Sequence, residues 1–235
     1  MDRKSQIDLF GAVALTGFAL LLAFNQVVIK VTNGGFQPVF FAGVRSAGAV
    51  LCIWLWLRWR GIPLRFEPGT RLAGLAIGCV FAFEFLCLFV ALDLTAVSRA
   101  SVILYSMPVW LAIMAHFIMP DDKITPIKAV GLGMAVAGVA TAILTRDHGA
   151  GSIWGDLAAL GAAIGWALTA LIAKASSLSR VRPEIQLFWQ VGVSAPILLF
   201  AALFFGAFIR DLAAIQIACM LFQIVVVVSA GFIFW

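Results

Sequence analysis

Eight long apolar segments, broken only by short stretches rich in charge, glycine or proline, take up most of the 235 residues. Residues 10–29 form twenty positions without a charge, while residues 36–57 carry only Arg45, 72–92 carry Glu84 as their one central charge, and 100–120 carry His116. Four more runs follow at about residues 126–145, 153–173, 185–209 and 212–235. At about 1.5 Å per residue each can cross roughly 30 Å of hydrocarbon as a helix. Helices are the expected form, because the runs lack the ten-residue alternation of a membrane barrel and backbone groups in lipid must be satisfied within the segment. The first run is too long for a signal peptide and no small-residue cleavage site follows it.

The polar positions inside these runs repeat. At an offset of 144, Ala23 falls on Ala167, Asn25 on Thr169 and Lys30 on Lys174; at 145, Pro38 falls on Pro183 and Arg45 on Gln190. One inserted loop residue reconciles the two offsets. Residues 1–145 therefore read as a first unit of five spans, and 146–235 as a second with three. Five spans per unit invert the second copy, the pattern of an inverted-repeat transporter. The last run reaches Trp235 with no basic anchor, so the expectation is an all-α membrane bundle holding eight spans of an expected ten, its sequence incomplete.

Composition agrees: 63% of residues are apolar and 11% charged, with a mean hydropathy of +1.09. One soluble core could not hide that much apolar surface. The net charge of +5 comes without a basic cluster interleaved with aromatics, so no nucleic-acid partner is expected. It sorts by side instead. Arg3, Lys4, Arg58, Arg60, Arg65, Arg71, Lys123, Lys128, Lys174, Arg180 and Arg182 share one set of connections, whereas Lys30, Arg99, Arg146 and Arg210 share the other. Eleven against four places the N-terminus in the cytoplasm of a multi-pass inner (plasma) membrane protein. Trp54, Trp56 and Trp59 beside Arg58 and Arg60 read as an interfacial belt.

Charges deep in a span are costly, from about 3 kcal/mol upward, unless paired or facing a wet cavity. Arg45 and Glu84 both sit roughly 10–14 Å in from the outer side, so pairing is the default expectation. Two readings stay open: a structural ion pair, or a site where Arg45 meets a substrate carboxylate and Glu84 an ammonium or a proton. Asn25, Gln26 and Tyr105 fall in the same layer, and Trp166, Thr169, Trp189 and Gln190 in the corresponding layer of the second unit. The candidate substrate-binding residues are thus Asn25, Arg45, Glu84, Tyr105, Trp166, Thr169, Trp189 and Gln190. Gly74 with Gly78, and Gly161 with Gly165, have the spacing that lets helices approach closely. Pro108 and Pro196 mark bends within spans. Cys52, Cys79, Cys87 and Cys219 read as small hydrophobes, and neither His116 nor His148 has a metal-ligand partner at usable spacing. No metal, cofactor or catalytic residue is expected.

The stretch from Asn25 to Lys30, its counterpart at Gly165-Trp166-Ala167, the mid-helix Arg45, Pro108 and the glycine-spaced run through Gly131, Gly133 and Gly138 resemble the ten-helix drug/metabolite transporter superfamily, EamA branch. The order of these landmarks carries the resemblance along the whole chain; the turn at Pro120-Asp121-Asp122-Lys123 departs from the Glu-Arg type usual in the family, and spans nine and ten are absent. The resemblance implies an inner-membrane carrier, often an exporter of amino acids or similar metabolites, working by alternating access. There is no P-loop for direct ATP coupling, and no HExxH, G-x-S-x-G or membrane aspartate pair for an enzyme. The expected function is export of small metabolites, amino acids first, through a cavity between the repeats; export of amphipathic drugs or carriage of nucleotide sugars is the alternative.

Overall fold

The computed structural model describes residues 9–119, 123–145 and 151–231, and among these there are helices and no strands. The elements are α1 (Leu9–Gly35), α2 (Pro38–Trp59), α3 (Arg71–Leu94), α4 (Val97–Leu104), α5 (Met107–Ile118), α6 (Pro126–Leu144), α7 (Ile153–Ala175), α8 (Pro183–Ala202) and α9 (Ala214–Phe222). A 3₁₀ turn, Ser177–Arg180, precedes α8, and a π-helical stretch, Gln223–Gly231, continues α9. Among the described residues seven helices, with α4 and α5 as one, are long and apolar enough to cross a membrane, and Ala214–Val228 is a shorter apolar helix. Pro38, Pro126 and Pro183 each stand in the first turn, where a missing N–H costs nothing. The side chains of Gln37, Thr125 and Ser152 cap α2, α6 and α7 by accepting from Phe40, Lys128 and Trp154 N–H. Arg3, Lys4, Pro120, Asp121, Asp122, Arg146 and His148 lie outside the described residues.

Three spans differ from their apolar outlines. Residues 100–120 read as one helix, but the helix stops at Leu104 and restarts at Met107. Pro108 cannot donate to the preceding turn, and the Ser106 hydroxyl donates to Ile103 O (2.6 Å) while accepting from Trp110 Nε1 (3.0 Å), so the chain breaks here rather than bends. The seventh span ends at Ala202, short of residue 209. Gly206 turns the chain at φ +89°, and the segment beyond lies across the start of α2, with Gln37 N–H donating to Phe208 O and Arg210 N–H to Gly35 O, both 2.9 Å. The first span runs past residue 29 to Gly35, so Lys30 belongs to a helix and not to a connection. Its Nζ donates to Asp93 O (3.0 Å) and Thr95 O (3.2 Å), closing off the last carbonyls of α3.

Helix α3 is the hub, packed along α7 and α8, with α2 also packed along α8. Glycine makes those approaches possible. A Cβ at Gly74 would stand 2.4 Å from the Trp189 ring and one at Gly78 2.4 Å from Val193 Cβ, both on α8. On α7, a Cβ at Gly161 would lie 3.2 Å from Cys87 Sγ and one at Gly165 3.1 Å from Glu84 Cα. Both glycine pairs thus serve close helix contact. Helix α6 has no buried residue and presents itself to lipid.

Two ion pairs stand at the end of the bundle opposite the arginine-rich one. Arg99 on α4 meets Asp156 on α7 with Nη2–Oδ2 at 2.8 Å, the side chains 13% and 0% exposed. Arg99 also donates to Ile143 O and Thr145 O at the end of α6, and Thr95 Oγ1 donates to Asp156 Oδ1. Arg210 meets Asp93 bidentately at 2.7 and 2.9 Å, with side chains 40% and 24% exposed. Removing one partner of a buried pair strands a charge at a cost of about 3–5 kcal/mol, whereas an exposed pair contributes about 0–1 kcal/mol. Thermal unfolding in detergent should accordingly show a loss of several kcal/mol for Asp156→Ala and at most about 1 kcal/mol for Asp93→Asn. Equal losses would contradict this ranking of the pairs.

Candidate functional site

A cavity of about 630 Å³, counted out to its open mouth, lies among the central helices. Helix α1 supplies Leu22, Asn25 and Gln26, α2 supplies Arg45, and α3 supplies Phe81, Glu84, Phe85 and Leu88. Leu104 and Tyr105 come from the break after α4, Trp166 and Thr169 from α7, Gln190 from α8 and Val227 from the π-helical stretch. Apolar walls carrying a few polar groups from facing helices are the composition of a ligand site.

Seven of the eight residues singled out from sequence line this cavity: Asn25, Arg45, Glu84, Tyr105, Trp166, Thr169 and Gln190. Trp189 does not. Its neighbour in sequence, Gln190, faces the cavity, and one step along a helix turns a side chain by about 100°. Trp189 therefore covers Gly74 and meets the Phe66 ring at 4.6 Å.

The expected contact between Arg45 and Glu84 is also absent. Among the described residues no carboxylate lies within 4.0 Å of the Arg45 guanidinium, although the side chain is 1% exposed. Its Cζ lies 4.0 Å from the Phe85 ring centroid and 5.3 Å from that of Phe89, and its buried Nε has no hydrogen-bond partner. Aromatic faces hold the cation in place of an anion. Glu84 in turn is met by a hydroxyl: Thr169 Oγ1 donates to Oε2 at 3.1 Å. Both charged groups thus border the same space, close enough to feel each other's charge but not in direct contact. Tyr105 and Trp166 form an aromatic edge with ring centroids 6.3 Å apart. Asn25 Oδ1 and Gln26 Oε1 are buried and accept no hydrogen bond from the protein.

Gln26, Leu22, Phe81, Phe85 and Val227 join the site beyond those candidates. Gln26 stood out as polar, but apolar residues in an apolar span give no signal of facing a cavity. Asp93 and Asp156 were missed because each finds its partner 117 or 57 residues away.

The fold is a bundle of membrane-length helices, and the cavity at its centre is the candidate small-molecule site. The chain matches the EamA-like transporter family over residues 9–144 and belongs to that family, within the drug/metabolite transporter superfamily. Members of the family are membrane transporters of small molecules. No curated protein matches the sequence. One solved crystal structure, whose description names no activity, aligns with a TM-score of 0.65 at 19% identity over 94% of this chain and 77% of that one. It is similar in fold.

Placement in or out of the cavity separates two kinds of tryptophan. Trp189→Ala should lower thermal stability by roughly 2 kcal/mol or more while leaving the apparent KM of the remaining folded protein unchanged. Trp166→Ala should instead raise KM with a smaller loss of stability. A raised KM for Trp189→Ala at unchanged stability would contradict the placement.

Proposed function

We propose that the protein exports small zwitterionic metabolites, amino acids first, by alternating access through the central cavity. The observation that carries this reading is a charge pair held short of contact: a guanidinium stacked on aromatic rings and a carboxylate met by a hydroxyl border one space. A zwitterion completes both. Its carboxylate takes up the donors of Arg45, its ammonium approaches Glu84 and Thr169, and its side chain lies against Tyr105 and Trp166. Such few fixed contacts leave the side chain free to vary, which favours broad selectivity and modest affinity. A diphosphate would call for several cations, and among the cavity-lining residues Arg45 is the one cation.

Alternating access requires two related halves, and we assign residues 1–145 and 146–235 to them. Support comes from packing that recurs when the spans are exchanged between halves. The contact of α3 with α7 has its counterpart in α1 with α9, and that of α3 with α8 in α2 with residues 223–231. Gly78 against Val193 corresponds to Gly48 against Ile224, where an added Cβ would stand 2.8 Å from Ile224 Cδ1. Val193 follows Gly48 by 145 positions and Ile224 follows Gly78 by 146. The Glu84–Thr169 contact, between α3 and α7, then lies where the two halves meet, so rocking exposes it to one side at a time.

The arginine-rich end is assigned to the cytoplasm of the inner membrane. Single cysteines at the exposed positions Glu67 and Ser179 should react only with a reagent on the cytoplasmic side, and one at Asp211 only with a reagent outside. Labelling of Glu67 and Asp211 from the same face would overturn this orientation.

The deciding experiment is saturable uptake into proteoliposomes. Several neutral amino acids should compete with one another, and Arg45→Ala should reduce uptake at least tenfold. Glu84 is also the candidate proton carrier, so Glu84→Gln should abolish dependence on a pH gradient and raise the apparent KM of exchange without abolishing it. Transport confined to nucleotide sugars, or movement of cationic drugs with no amino acid moving, would overturn the substrate assignment.

A further inference from the structure

Between the cavity and the bundle end that carries Gly35, Leu94 and Ile209 lies a continuous aromatic column. Phe85 lines the cavity, its ring is 6.0 Å from Phe89, Phe89 is 5.1 Å from Phe41, and Phe41 is 6.3 Å from Phe36. Phe36 is at the far end, bridged to Ile209. All four rings are buried. The column's inner face carries Arg45, stacked on Phe85 and Phe89. Its outer face is covered by a polar clasp. Arg210, from the segment after α8, holds Asp93 at the end of α3 and donates to Asn33 O on α1 at 3.1 Å, while Asn33 Nδ2 donates to Phe89 O at 3.1 Å.

We propose that this column and clasp form the gate on that side of the membrane, and that Arg45 is the group through which cargo acts on it. The inference rests on the reading that the central cavity is the transport site. Three features support it. The clasp pair is partly open to solvent and bidentate, so it is specific in geometry yet easily undone by water and salt. The buried Arg99–Asp156 pair at the same end has the opposite character and serves as a fixed anchor for α4. Two polar atoms in the gate, Asn33 Oδ1 and Arg45 Nε, are buried without partners, so the closed arrangement leaves hydrogen bonds unmade that water or cargo would supply on opening. A carboxylate entering the cavity competes with the two rings for the guanidinium. Drawing Arg45 toward it removes the inner support of Phe85 and Phe89.

The test uses the full chain in oriented vesicles, with its native cysteines replaced and one cysteine at Leu22, which lines the cavity. A charged thiol reagent is added on the clasp side or on the opposite side, without cargo. From the clasp side, Asp93→Asn and Arg210→Gln should each react at least tenfold faster than the parent, with folding checked by elution profile. Labelling of both variants at the parent rate, or acceleration only from the opposite side, overturns the gate. Saturating leucine should accelerate labelling of the parent and leave Arg45→Gln unaffected; equal acceleration of Arg45→Gln overturns the role given to Arg45. Fast clasp variants together with a parent that ignores leucine support the gate and count against amino acids as cargo.

Discussion

A guanidinium carried to the depth of Arg45 has to be held by something, and in this bundle it is held by aromatic faces rather than by a carboxylate. The rest of the central architecture depends on that substitution. Because Glu84 is left to Thr169, the two charges stay separate and the space between them remains open. A direct ion pair would have closed the cavity electrostatically, since a desolvated pair already satisfied has little to offer a ligand. Because Phe85 and Phe89 carry the cation, the same contact that stabilises Arg45 ties the cavity wall to the column leading outward.

Glycine-mediated contacts supply the rigidity against which such a site can work. Gly74 and Gly78 bring α3 onto α8, while Gly161 and Gly165 bring α7 onto α3, so the helices that bear Glu84, Thr169 and Gln190 meet at backbone distance. The lipid-facing α6 stands outside this unit. The break at Tyr105 and Ser106 lies beside the cavity, where irregular backbone is tolerated because side chains re-satisfy it.

The spans, their glycine contacts and most of the cavity were legible in the sequence because lipid imposes length and makes every polar residue conspicuous. Arg45, Glu84, Asn25 and Thr169 stood out in apolar surroundings for that reason. The pairing of Arg45 with Glu84 was misjudged because depth along a helix fixes height in the membrane but not rotation about the axis. Trp189 was misplaced for the same reason, one residue from Gln190 yet on another face. The fold-back after Ala202 was hidden because its residues, Leu203 to Ile209, are as apolar as a helix, and only Gly206 marks the turn. Lys30, Arg99 and Arg210 were legible as charges by side, but not as partners, since their acceptors come from other helices.

The central claim is that the bundle opens at one end while closing at the other around a fixed cavity. Pulsed electron–electron distance measurements test it most directly, with one spin-label pair across the clasp end, on Asp211 and Ser98, and another across the arginine-rich end, on Glu67 and Lys123. With and without transported cargo the two distances should change in opposite directions, each with two populations. Distances that stay single and fixed, or that lengthen together at both ends, would contradict alternating access.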